Sequence, residues 1–176
     1  MLITSLTGVA SEIHVKFNKE NSSVFMNGDG LPVLLPGVLP LLIERRNSFP
    51  FDLGRWFTLN HKEREAWLEV SLLDKRKPAY KIKPIDVEID GKKVSDVVSF
   101  LCALGEGVFG PGGYIGRNLG ALEDCLSCNA DLNVPFILRW KDSGHSKEMF
   151  KNRGEEDVYR DVLVLLKNCG VNVIFE

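Results

Sequence analysis

The chain has 176 residues, 44% hydrophobic and 26% charged, with a formal net charge of −2. Such a chain supplies a real core, which excludes a disordered or fibrous protein, and its length fits one domain or one domain with a small neighbour. The charge is uneven: residues 1–84 hold 12 Lys/Arg against 9 Asp/Glu (+3), and residues 85–176 hold 10 against 15 (−5), so the second half disfavours phosphate groups and suits a basic partner.

The opening "MLITSLTGVASEIHVKF" has no basic start, and Thr, Ser and Gly break its apolar run. It does not read as a signal peptide, and a cytoplasmic protein is expected. "EIHVKF" alternates with period two and predicts a strand. "SSVFM" predicts another, followed by the turn signal "NGDG". The greasy run Leu31 to Ile43 holds three prolines in 13 residues, too short and broken to span a bilayer. It is expected to form an extended loop or edge segment covering a small sheet. "RWFTL" and "AWLEVSLL" have the aromatic and β-branched content of half-buried strands, with "KEREAW" open to one helical turn. "DKRKPAYKIKP" (74–84) reads as a solvated basic connector. The first 84 residues are therefore expected to form a small β-rich N-terminal domain.

From Ile85 the pattern changes. "IDVEIDGKKV" predicts a strand running into an Asp-Gly turn, and "SDVVSFLCALGEG" a helix capped by Ser95. "GEGVFGPGGYIG" reads as a Gly-rich loop leading into the helical stretch "RNLGALEDCLSC". "VPFILRW" is a nearly all-apolar strand, which predicts burial on both faces. "GHSKEMFKN" and "EEDVYRDVLVLLKNCG" predict two helices, the second with acids in its first turn and a stop at Gly170. "VNVIFE" predicts the last strand. The order strand–helix–helix–strand–helix–helix–strand calls for a three-stranded parallel sheet with about four helices, an α/β fold over residues 85–176.

Cys102, Cys125, Cys128 and Cys169 do not make a disulfide scaffold in a chain of this size. Cys125 and Cys128 form a C-x-x-C, but helical spacing brings i and i+3 together anyway, no second pair exists, and His14, His61 and His145 are scattered. Structural thiols are the expectation, with no metal and no cofactor.

On residues 118–128, Leu119, Leu122 and Leu126 recur at helical spacing and face a core, with Cys125 beside them. Gly120, Glu123, Asp124 and Ser127 form the opposite stripe. Asn118 can cap the helix, and the glycines before it permit a tight turn and leave backbone open to close approach. Loop and stripe together make a low-relief acidic platform.

The segment Ile85 to Glu176 resembles the barstar-like family of intracellular ribonuclease inhibitors. The anchor is "YIGRNLGALEDCL", where Tyr114, Gly116, Asn118, Leu119, Ala121, Leu122, Asp124, Cys125 and Leu126 fit the family pattern. "PFILRWKDSGHSK", "IDGKKVSDVVSFL" and the closing helix–Gly–strand agree in order and spacing. The resemblance implies that the loop and helix block a nuclease's active site, with acids standing where RNA phosphates would bind. Carried over, Asp124 is the principal acid, and Tyr114, Gly116 and Asn118 belong to the loop that leans on the enzyme. Departures fall at Gly120 (an acid in the family), at Glu123 (a Trp) and in "VLVLLKN", which lacks a further acid. The implied partner is a basic nuclease, a ribonuclease toxin, met without direct nucleic-acid or membrane binding, and the departures speak against barnase itself as that target. Two alternatives compete: an interaction module whose partner site lies in residues 1–84, and an enzyme, for which the Gly-rich loop lacks the Lys-Ser/Thr ending of a phosphate cradle.

Overall fold

The computed structural model describes residues 15–16, 25–26, 35–48, 52–73, 86–128 and 136–176. Two short strands, β1 (Val15–Lys16) and β2 (Phe25–Met26), pair antiparallel, with Val15 opposite Met26. The "NGDG" turn and the basic connector 74–84 lie outside the described residues.

Residues 35–73 depart from expectation. Where extended chain was expected, α1 runs from Val38 to Ser48. Pro40 is tolerated because it sits in the first turn, where a backbone N–H has no intrahelical partner to lose. Where "RWFTL" and "AWLEVSLL" predicted strands, a 3-10 turn spans Arg55–Thr58 and α2 spans His61–Leu73. The start of α2 is fixed by a reciprocal cap: Asn60 Oδ1 accepts from Glu63 N (3.1 Å) and Glu63 Oε2 accepts from Asn60 N (2.8 Å). Helical spacing then buries Ala66, Trp67 and Val70. The described part of 35–73 is thus helical, and the strand reading is corrected there.

From residue 86 the predicted order is met. β3 (Asp86–Asp90), β4 (Ile137–Lys141) and β5 (Asn172–Phe175) form a parallel sheet in the order β3-β4-β5, with Val87 beside Leu138 and Leu138 beside Val173. α3 (Val97–Phe109) and α4 (Leu119–Cys128) connect the first two strands; α5 (Ser143–Asn152) and α6 (Glu156–Asn168) connect the second pair. α3 is capped one residue later than expected, by Asp96 in a reciprocal box with Ser99. It also consumes the first half of the expected Gly-rich loop. Gly105 lies inside it, where a Cβ would come within 3.2 Å of the Gly113 carbonyl carbon, so glycine lets the returning chain lie directly on the helix.

β4 is buried on one face, not two. Leu138 and Trp140 point into the core, while Arg139 pairs with Asp86 and Glu176 (3.0 Å each) on the other side. Trp140 stacks on Phe100 (centroids 5.1 Å apart), and its indole N–H donates to Ser146 Oγ at 3.0 Å. Ser146 in turn donates to the Gly91 carbonyl, so one buried chain ties β4, α5 and the turn after β3 together. The hydrophobic cluster runs continuously from Val38, Trp56 and Trp67 through Leu101 and Leu104 to Leu138 and Leu166, so α1 and α2 share a core with the parallel sheet.

Candidate interaction surface

α3 ends at Phe109, and the chain turns through residues 110–118 before α4 begins. Gly113 N donates to the Gly110 carbonyl (2.9 Å), closing the first turn, and Ile115 anchors the loop with no exposed surface. Gly116 follows at φ 131, where a Cβ would lie 2.6 Å from Leu122 N. The backbone at Gly116 is buried, which corrects the expectation that it lies open to a visitor. This glycine lets the loop press against the start of α4.

Asn118 does cap the helix: its Oδ1 accepts from Ala121 N at 2.8 Å, and its carbonyl accepts from Leu122 N at 2.9 Å. Leu122 and Leu126 are buried and Leu119 and Cys125 pack partly against the core, so the rotation of α4 is fixed. That rotation leaves Asn118, Gly120, Glu123, Asp124 and Ser127 exposed on one side. Tyr114 is half-buried, and burial pushes its phenol above the usual value. Of the six residues singled out, four (Asn118, Gly120, Glu123, Asp124) form one exposed strip, Tyr114 borders it, and Gly116 shapes it from beneath.

Sequence reasoning missed the supports of this strip. Arg117 Nη1 lies 2.7 Å from Glu69 Oε2 on α2. Arg45 on α1, only 3% exposed, donates from Nη1 to the Gly112 carbonyl (2.9 Å) and to Ser71 Oγ (3.3 Å), with its guanidinium 5.8 Å from the Trp67 ring centre. Glu106, in the last turn of α3, accepts from Gly54 N and Trp56 Nε1 through one oxygen, both at 2.8 Å. Burial pushes the Glu106 carboxyl above its usual range, against the pull of those donors. None of these partners is near its mate in sequence, so no local pattern announces them.

Cys102 is buried and burial raises its thiol well above the ordinary range; Cys125 and Cys169 are partly buried against the core. Among the described residues no group of three or more His, Cys, Asp or Glu is arranged to hold a metal ion, and no helix is long and apolar enough to cross a membrane. His61 Nδ1 sits 2.9 Å from Asp96 Oδ2 at the α3 cap, and His145 is exposed on α5. His14 lies outside the described residues.

The class defined by these features is a parallel three-stranded α/β domain that turns a loop and an acidic helix edge to solvent. Residues 85–169, the C-terminal part of the chain, match the family model described as Barstar (barnase inhibitor). Comparison with curated proteins gives no match.

Proposed function

We propose that the chain is a nuclease inhibitor, an immunity protein that occludes the active site of a basic ribonuclease with Asn118, Gly120, Glu123 and Asp124, bordered by Tyr114. One observation supports this most: in the segment that matches the barstar family model, Glu123 and Asp124 stand exposed on a helix whose other side is locked into the core. Carboxylates held in this way can accept charge-assisted hydrogen bonds from Arg, Lys or His of an enzyme built to bind phosphates. The action is binding rather than catalysis, and the partner is a protein.

The test is stoichiometric inhibition. The full chain is titrated into a ribonuclease encoded beside its gene, and into barnase, with RNA cleavage and complex formation on gel filtration as readouts. Loss of cleavage at one equivalent with the neighbouring enzyme supports the reading. Undiminished cleavage by both enzymes, with no complex, overturns it. Inhibition of the neighbouring enzyme but not barnase is the pattern expected from Gly120 and Glu123, which depart from the family's contact residues.

A further inference from the structure

We propose that Glu69 on α2, outside the family-matched segment, is a positioning residue for the interaction loop, and that the α1–α2 layer holds residues 112–118 in place before any partner arrives. The purpose of this clamp rests on the inhibitory reading above; the clamp itself does not.

Two attachments act on the loop from the same layer. At its start, the buried Arg45 guanidinium donates to the Gly112 carbonyl, and Ser71 of α2 accepts from the same nitrogen. Ser71 is itself oriented by donating to the Trp67 carbonyl at 2.8 Å. At the other end of the loop, Arg117 meets Glu69 at 2.7 Å, with the Glu69 side chain 9% exposed and the Arg117 side chain 53% exposed. Between these points the loop lies on α3 where Gly113 passes Gly105, and it is held by the buried Ile115 and by the close approach of Gly116 to α4. The loop has no regular backbone ladder of its own, and its end at Arg117 and Asn118 is exposed, so that end opens easily unless something holds it.

The Glu69 pair has a second effect. Arg117 is the one Lys or Arg between Tyr114 and Leu126, and it stands beside an edge meant to attract cations. Glu69 cancels that charge and fixes the guanidinium toward α2. A cationic enzyme would then meet Glu123 and Asp124 without a like charge swinging between them, and the loop would need no ordering on contact.

The experiment is hydrogen exchange on the full chain, read by mass spectrometry in peptides covering residues 110–122 and, as internal control, 136–141 and 172–176. The variants are Glu69→Gln, Arg117→Gln and the double substitution; Arg117→Gln alters an exposed side chain and keeps the test valid should Glu69→Gln impair folding. The expected result is faster exchange in 110–122 for each single variant, up to about fivefold for Glu69→Gln and about tenfold for Arg117→Gln, which strands a nearly buried carboxylate. The control peptides stay unchanged, and the double variant is no faster than either single one. Unchanged exchange in 110–122, an equal rise in the control peptides, or additive effects in the double variant would each overturn the proposal. No nuclease enters this measurement, so its failure is distinct from failure of the inhibition assay.

Discussion

Glu69 and Arg117, separated by 48 residues, meet at 2.7 Å and join a helix outside the family-matched segment to the loop within it. Their environments are unequal. The arginine is half in water, which puts the pair near the surface class, worth about 1 kcal/mol or less. The carboxylate is nearly buried, so losing its partner costs more than the pair contributes, because an uncompensated charge remains. That inequality gives Glu69 its leverage over the loop. The same layer reaches the loop's start through Arg45, so residues 112–118 are held from α1 and α2 as well as by the buried Ile115.

Gly120 separates stability from binding. It is the second residue of α4, exposed, and a Cβ there would meet nothing closer than Asn118 Oδ1 at 3.6 Å. Gly120→Ala is expected to stabilise the fold by up to about 1 kcal/mol, because alanine fits the helix without strain. If a partner docks closely against this gap, the added methyl weakens inhibition while the melting temperature rises. Calorimetry and inhibition titrations on one preparation check both arms; a stabilised variant with full inhibition removes Gly120 from the contact surface.

Gly116 behaves oppositely. Its φ of 131 is a backbone conformation that side chains rarely adopt, and a Cβ would stand 2.6 Å from Leu122 N and 2.9 Å from Ala121 C, both backbone atoms that cannot swing away. Gly116→Ala is expected to cost roughly 2–3 kcal/mol, through backbone strain and displacement of α4. Urea unfolding measures this directly, and a change below about 0.5 kcal/mol, the range of ordinary surface substitutions, would contradict the geometry.

The parallel sheet and its four helices were legible because their signals are local: alternation at Val87 and Ile89, i, i+3, i+7 spacing at Leu119, Leu122 and Leu126, and a stop at Gly170. The motif residues from Tyr114 to Leu126 added a register for the exposed strip of α4. α2 was misread because Trp67, Leu68 and Val70 look like strand residues by composition, whereas the decisive signal was "NHKE" just upstream, a helix-capping box. α1 runs against the expectation of extended chain because a proline's missing N–H breaks a helix only in its interior, and of the three prolines only Pro40 falls inside α1, in its first turn. The clamp on the loop was not legible at all. A buried Arg45 and a nearly buried Glu69 look like ordinary solvated charges on a helix until the tertiary fold sets Gly112 and Arg117 beside them.

Asp96 gives the fold an acid-sensitive point. Burial alone would raise its carboxyl, but hydrogen bonds from Ser99 and from His61 outweigh burial and hold it below the ordinary carboxylate value. A depressed carboxyl stabilises the fold fully above the unfolded value, about pH 3.9, and that contribution is lost as pH falls through the lower folded value. Asp96→Asn keeps a capping oxygen and removes the charge. It is expected to be less stable than the wild type at pH 7 by about 1 kcal/mol, with the gap closing as the wild-type carboxyl protonates. Urea midpoints at neutral and acid pH test this; a gap that persists unchanged in acid would mean the charge is not what matters.

Glu106 carries the opposite sign. One oxygen accepts from Gly54 N and Trp56 Nε1, while the other is buried and makes no well-formed hydrogen bond; burial raises the carboxyl above its ordinary value against the pull of those donors and of the Gly112 N–H. A carboxyl raised on folding supports the native state fully below the unfolded value, about pH 4.3, and that support is lost as pH rises through the folded value. At neutral pH the wild type therefore bears the cost of ionising a buried group, about 1.4 kcal/mol for each tenfold change in proton affinity. Glu106→Gln retains an oxygen to accept from Gly54 and Trp56 and has no charge to desolvate. Its stability is expected to match the wild type near pH 4 and to exceed it at pH 8, with a flatter dependence between. Thermal unfolding across that range decides the point: parallel curves for the two proteins would show that Glu106 reaches water when it ionises and that its position under Trp56 does not govern the pH response.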